Sequence, residues 1–133
     1  MKTENELLNT ILQTAEMVRA RDEDNEYDLD FSEGSIARLE EMIDDFWGED
    51  GPSKENFDLM VWAFGCYVAA VIETNFNGEW HKEESGELSF VSDSGEVGLK
   101  PFNWIAKKFE LQDSLEAKYD FATNMIKADR RGP

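Results

Sequence analysis

From Leu59 to Ile72 the chain runs for 14 residues without a charge, and from Phe57 to Ile72 only Asp58 and Gly65 interrupt the apolar series. A helix that is apolar on every side must be enclosed by other elements, so this segment predicts a central helix around which the rest of the chain is built. The uncharged run falls short of the about 20 residues needed to cross a bilayer. No membrane span is expected from it. The first residues, Met1 to Glu6, carry acids and lead into an amphipathic pattern, unlike the basic start and apolar run of a secretory signal, which predicts a cytoplasmic location.

The segments on either side supply the enclosure. Leu7, Leu8, Ile11, Leu12, Ala15 and Val18 recur at three-and-four spacing and predict an amphipathic helix from Glu4 to about Arg21. Ile36, Leu39, Met42, Ile43, Phe46 and Trp47 repeat that spacing, with Asp30 or Ser32 as the cap of a second helix and Glu33 in capping-box register with Asp30. Ser53 is the expected cap of the apolar helix.

Beyond Gly78 the period changes. Trp80, Lys82 and Glu84 alternate with His81 and Glu83, Leu88, Phe90 and Val91 follow Gly86, and Val97 and Leu99 follow Gly95. Three short strands with Gly-containing turns predict an antiparallel meander, with Trp80 facing inward and His81 outward. Pro101 suits the first turn of a helix bearing Phe102, Ile105, Ala106 and Phe109. Asp113 with Glu116 predicts the start of a last helix, striped by Leu115, Tyr119, Ala122 and Ile126, with Arg130 to Pro133 fraying. The order α-α-α-β-β-β-α-α describes one α+β domain, with N-terminal helices, a three-stranded meander and two C-terminal helices around a single core. At 133 residues one domain is the expectation.

Charge narrows the function. With 30 acids against 13 bases the net charge is −17, which repels phosphate backbones and anionic membranes. Between Asp22 and Asp58 stand 15 acids and only Arg38 and Lys54 as bases, a net of −13, so the acidity is regional and can form a face. Asp22, Asp24, Glu26, Asp28, Asp30, Glu40, Glu41, Asp44 and Asp45 are the candidate binding residues of that face. Their expected partner is a basic protein, such as a toxin or a nucleic-acid enzyme, and no cofactor is expected. Small acidic immunity proteins that neutralise nuclease toxins share this physical character; solubility alone is the plainer account of the charge.

Chemistry-bearing residues are sparse. One Cys and one His exclude Cys-based zinc sites, intrachain disulfides and multi-histidine centres. Cys66, inside the apolar helix, reads as a buried inert thiol. His81 lacks a recognisable catalytic companion, so no enzyme is expected, and a small-ligand or enzymatic pocket beside Trp80 and His81 stays as an alternative. A second alternative is calcium. Counted from Asp22, acids fall at positions 1, 3, 5, 7, 9 and 12 through Glu33, as in an EF-hand loop, yet Tyr27 stands at position 6 where that loop requires Gly. Gly65, in mid-helix, predicts close approach by another element.

Leu29-Asp30-Phe31-Ser32, with Ser35 and Leu39 following, resembles the start of the second helix in a family of small uncharacterised bacterial α+β domains. Gly65-Cys66-Tyr67, Val71-Ile72, Gly78-Glu79-Trp80 and Pro101-Phe102 with Lys107-Lys108 match that family's later motifs, over about residues 29 to 110. Where the family shows Gly-Glu after the Tyr, this chain has Ala69-Ala70. The resemblance implies an α+β fold and a bacterial or phage-like setting, and brings no activity with it.

Overall fold

A computed structural model describes residues 4–22, 26–48, 51–82, 84, 88–93 and 98–131. Its elements run α1 (Glu4–Ala20), α2 (Ser35–Trp47), α3 (Phe57–Asn75), β1 (Gly78–Lys82), β2 (Leu88–Ser92), β3 (Gly98–Leu99), α4 (Pro101–Leu111) and α5 (Leu115–Arg131). This is the α+β order expected. The strands form an antiparallel meander β1-β2-β3, with Trp80 opposite Phe90 and Phe90 opposite Leu99. Val97, placed in the third strand by its pattern, lies outside the described residues.

α3 is the centre, packed against α1 and α4, while α2 packs against α5. Every residue from Phe64 to Ile72 is buried, and the core cluster draws side chains from all eight elements. The N-terminal part of α3 departs from expectation. Phe57 to Ala63 are partly or largely exposed, Leu59 to 58%; α4 meets this end through Phe109 on Phe57 and Phe102 on Trp62 and leaves the rest of it open. By length and composition alone, Lys54–Asn75 is apolar enough to cross a membrane; half of its most apolar window is buried inside the protein.

Gly65 acts as its position predicted. A Cβ built there would lie 2.2 Å from Cδ1 of Phe102, so α4 reaches α3 only because the side chain is absent. The Phe102 ring then stacks on Trp62, at 5.3 Å between centroids and 13° between planes. Trp80 faces inward as expected, donating from Nε1 to Glu73 at 2.9 Å, and His81 is exposed. Cys66 is fully buried, and burial pushes its thiol up to about 12.

The helix starts lie elsewhere than predicted. α2 begins at Ser35 behind Gly34, without a side-chain cap. Asp30 instead accepts from Ser32, through its backbone N–H at 3.0 Å and its hydroxyl at 2.5 Å, and Glu33 turns away to Tyr119 and Lys127. α3 begins at Phe57 rather than after Ser53, because Ser53 closes a turn in which its carbonyl and hydroxyl receive Asn56. α5 is capped by Ser114, whose hydroxyl accepts the Ala117 N–H at 3.1 Å, while Asp113 pairs with Lys118. The helix continues through Arg131 where fraying was expected from Arg130.

Candidate functional site

The described acids of this region fall into three groups, around Lys108, Arg38 and Tyr27. Lys108, on α4, is buried and reaches across to Asp44 at 2.7 Å and Glu40 at 3.3 Å. Burial alone would lower its pKa, but hydrogen bonding to Asp44 and the charge of Glu40 outweigh that and raise it. Glu40 also accepts the backbone N–H groups of Leu115 at 2.7 Å and Glu116 at 3.2 Å. It thereby occupies the positive N-terminal end of α5. Glu40 and Asp44, candidates for a free face by sequence, join α2 to α4 and α5; only Asp44 keeps much exposure.

Arg38 organises the second group. Its Nε donates to the Asp28 carbonyl at 3.1 Å and its Nη2 to Asp30 at 3.2 Å. The Ser32 hydrogen bonds, with Arg38 behind them, hold the Asp30 carboxyl below its usual range. Asp28 (φ 53°) and Phe31 (φ 62°) take left-handed backbone here, which costs a non-glycine residue and persists only where neighbours fix it. The Phe31 N–H donates to the Tyr67 hydroxyl at 3.1 Å, its carbonyl accepts from Asn75, and its ring stacks on Tyr67 at 5.0 Å. The left-handed positions thus fall beside Tyr27 and not at it.

The third group surrounds Tyr27. Asp22 is turned inward and buried, and its two carboxylate oxygens accept the Tyr27 N–H at 3.2 and 3.1 Å. The Tyr27 hydroxyl donates to Asp45 at 2.7 Å, tying the loop to α2. That bond, reinforced by the negative charges of Asp45, Glu26 and Glu41, pushes the phenol up to about 12. Glu26 adjoins Tyr27 in the chain and Glu41 lies one turn before Asp45 on α2, so the Tyr27–Asp45 bond brings three exposed candidates of the nine to one side of the molecule. Asp24 lies outside the described residues.

Three members of the calcium pattern are engaged elsewhere. Asp22 is committed to Tyr27, Asp30 to Ser32 and Arg38, and Glu33 to Tyr119 and Lys127, and among the described residues no group of acids, His and Cys is arranged to hold a metal ion.

An apolar groove lies next to the Tyr27 cluster, and sequence reasoning missed it. It has a volume of about 250 Å³ between α1, α2 and the exposed end of α3, with Met17, Met42, Phe46, Trp47, Leu59 and Met60 among its lining residues. Met17 is 65% exposed and Phe46 55%. Its spacing places Phe46 in the apolar stripe of α2, yet its ring is left exposed at the groove. The two ends of α2 touch the middle of α3, Ser35 at Tyr67 and Trp47 at Phe64, and the groove opens beside the exposed N-terminal end of α3. A polar cleft of about 320 Å³ opens separately beside Glu33, Tyr119 and Lys127. Neither concavity is lined by Trp80 or His81.

No protein-family model, curated protein or solved structure matches the chain. The motif residues that carry the family resemblance hold the fold together here: Leu29 and Tyr67 are buried, Trp80 anchors β1, and Pro101 opens α4.

Proposed function

We propose that this chain is a non-enzymatic protein-binding module that meets a basic protein partner through the acidic cluster at Tyr27. The observation that carries this reading is the presence of Glu26, Glu41 and Asp45, all exposed, on one side of the molecule, while neighbouring acids are tied down by Lys108 and Arg38. A carboxylate paired with a cation offers little to a partner; Glu26, Glu41 and Asp45, the last held by a neutral phenol, keep their charge and steer Lys and Arg from a distance. An immunity- or inhibitor-like role against a basic toxin or nucleic-acid enzyme, in a bacterial cytoplasm, fits this chemistry together with the net charge of −17.

Stopped-flow association with a dye-labelled, lysine-rich peptide tests the reading. The on-rate should fall steeply as salt rises, and Glu26→Gln with Glu41→Gln should flatten that dependence. An on-rate that ignores salt, or a slope untouched by the two substitutions, overturns it.

A further inference from the structure

Resting on that interaction reading, we propose that the groove between α1, α2 and α3 receives the apolar face of a basic amphipathic helix from the partner.

Four features of the groove specify such an occupant. Three of the chain's five methionines, Met17, Met42 and Met60, line it. Unbranched thioether side chains re-pack around differing apolar shapes, which suits a surface that accepts a partner's side chains. Its mouth is formed by Met17, Phe46 and Leu59, all more than half exposed; large apolar side chains gathered around a concavity mark interaction sites.

Size is the third feature. A cavity of about 150 Å³ takes a benzene ring, so 250 Å³ takes one or two bulky anchor side chains. It lies below the range of about 300–1,000 Å³ that encloses a drug-sized ligand. Anchors at i and i+4 of a helix meet that requirement while the rest of the helix stays outside.

Charge is the fourth. On α2 the column Glu41–Asp45 runs beside the column Met42–Phe46, and Asp58 adjoins Leu59 on α3, so carboxylates border the apolar strip. An incoming helix with Lys or Arg flanking its apolar stripe matches that border. Arg21 is the charged residue in the lining and would meet the polar end of the helix. A second copy of this chain would bring −17 against −17 and is disfavoured as the occupant.

The test uses the full chain carrying methyl-labelled Met and two synthetic peptides of equal positive charge. One is an amphipathic Lys/Leu helix; in the other each Leu is replaced by Ser. The amphipathic peptide should shift the methyl signals of Met17, Met42 and Met60 and leave Met125, exposed on α5, unmoved. It should bind at least about ten-fold more tightly than the Ser peptide, and Leu59→Asp, at an exposed position, should remove that advantage. Equal binding of both peptides with silent groove methyls overturns the groove proposal and leaves the acidic-cluster reading standing. If neither peptide binds, both readings fall. Groove methyl shifts that depend on protein concentration without peptide identify a contact between copies of the chain and likewise overturn the proposal.

Discussion

Replacing Glu40 by Ala removes its bonds to the start of α5 and its pairing with Lys108 at once, and their geometry sets the magnitude. The carboxylate accepts the N–H groups of Leu115 and Glu116 at the N-terminus of α5, and losing a cap of this kind costs about 1 kcal/mol, within a range of roughly 0.5–2. It also faces Lys108, whose side chain is 9% exposed; a hydrogen bond to a charged group contributes about 1.5–3 kcal/mol. Asp44 remains 2.7 Å from the ammonium, so the charge is not left unpaired and the full penalty for orphaning a buried ion, about 3–5 kcal/mol, does not apply. The sum is about 2.5–4 kcal/mol. Urea unfolding followed by tryptophan fluorescence should show the midpoint falling with an unchanged slope. Glu41→Ala, one residue away and exposed, should stay within about 0.5 kcal/mol of the parent, and Glu40→Gln should fall between. Equal effects of the Glu40 and Glu41 substitutions would refute the division of the acidic region into structural and solvent-facing carboxylates.

Other positions give independent checks. Gly65→Ala should destabilise by about 1–3 kcal/mol, since the strain of forcing Phe102 from its 2.2 Å approach exceeds the gain in helix propensity; a double-mutant cycle with Phe102→Leu should show that the two residues are coupled. Tyr67→Phe deprives the Phe31 N–H of its acceptor and should cost about 1–3 kcal/mol in the same unfolding assay. The Cys66 thiol titrates from 9.0 when unfolded but only at about 12 when folded. Its contribution is therefore fully present below pH 9 and is lost above it, at about 1.4 kcal/mol per pH unit. Cys66→Ala should flatten the fall in stability between pH 9 and 10, before the raised Tyr67, Tyr119 and Lys108 add losses of the same sign.

Local spacing made most of the architecture legible. The three-and-four stripes on α1, α2, α4 and α5, the two-residue alternation at Trp80 and His81, and the mid-helix Gly65 each report an interaction that the residue's own element imposes. Which acids stay free was not legible, because what engages the others is distant in the chain: Glu40 meets Leu115 and Lys108, and Tyr27 meets Asp45. Helix caps moved for a related reason. Asp30, Ser32 and Ser53 each have a nearer hydrogen-bond partner, and a polar side chain used in a turn is unavailable to the following helix. The groove was hidden because periodicity assigns Phe46 and Leu59 to apolar faces but does not say whether another element covers each face. Glu26 and Glu41 lie apart in sequence and become one feature only when the Tyr27 hydroxyl pins the loop to α2.

Charge reversal at that feature tests the central claim most directly. Glu26 and Glu41 are exposed, so Glu26→Lys with Glu41→Lys should leave the unfolding midpoint near that of the parent. Equilibrium binding of the amphipathic Lys/Leu peptide at low salt, measured by fluorescence anisotropy, should weaken by at least about ten-fold in the reversed variant, and most of that difference should vanish at high salt. Unchanged affinity in a folded variant would contradict the claim that these carboxylates form the surface a basic partner meets.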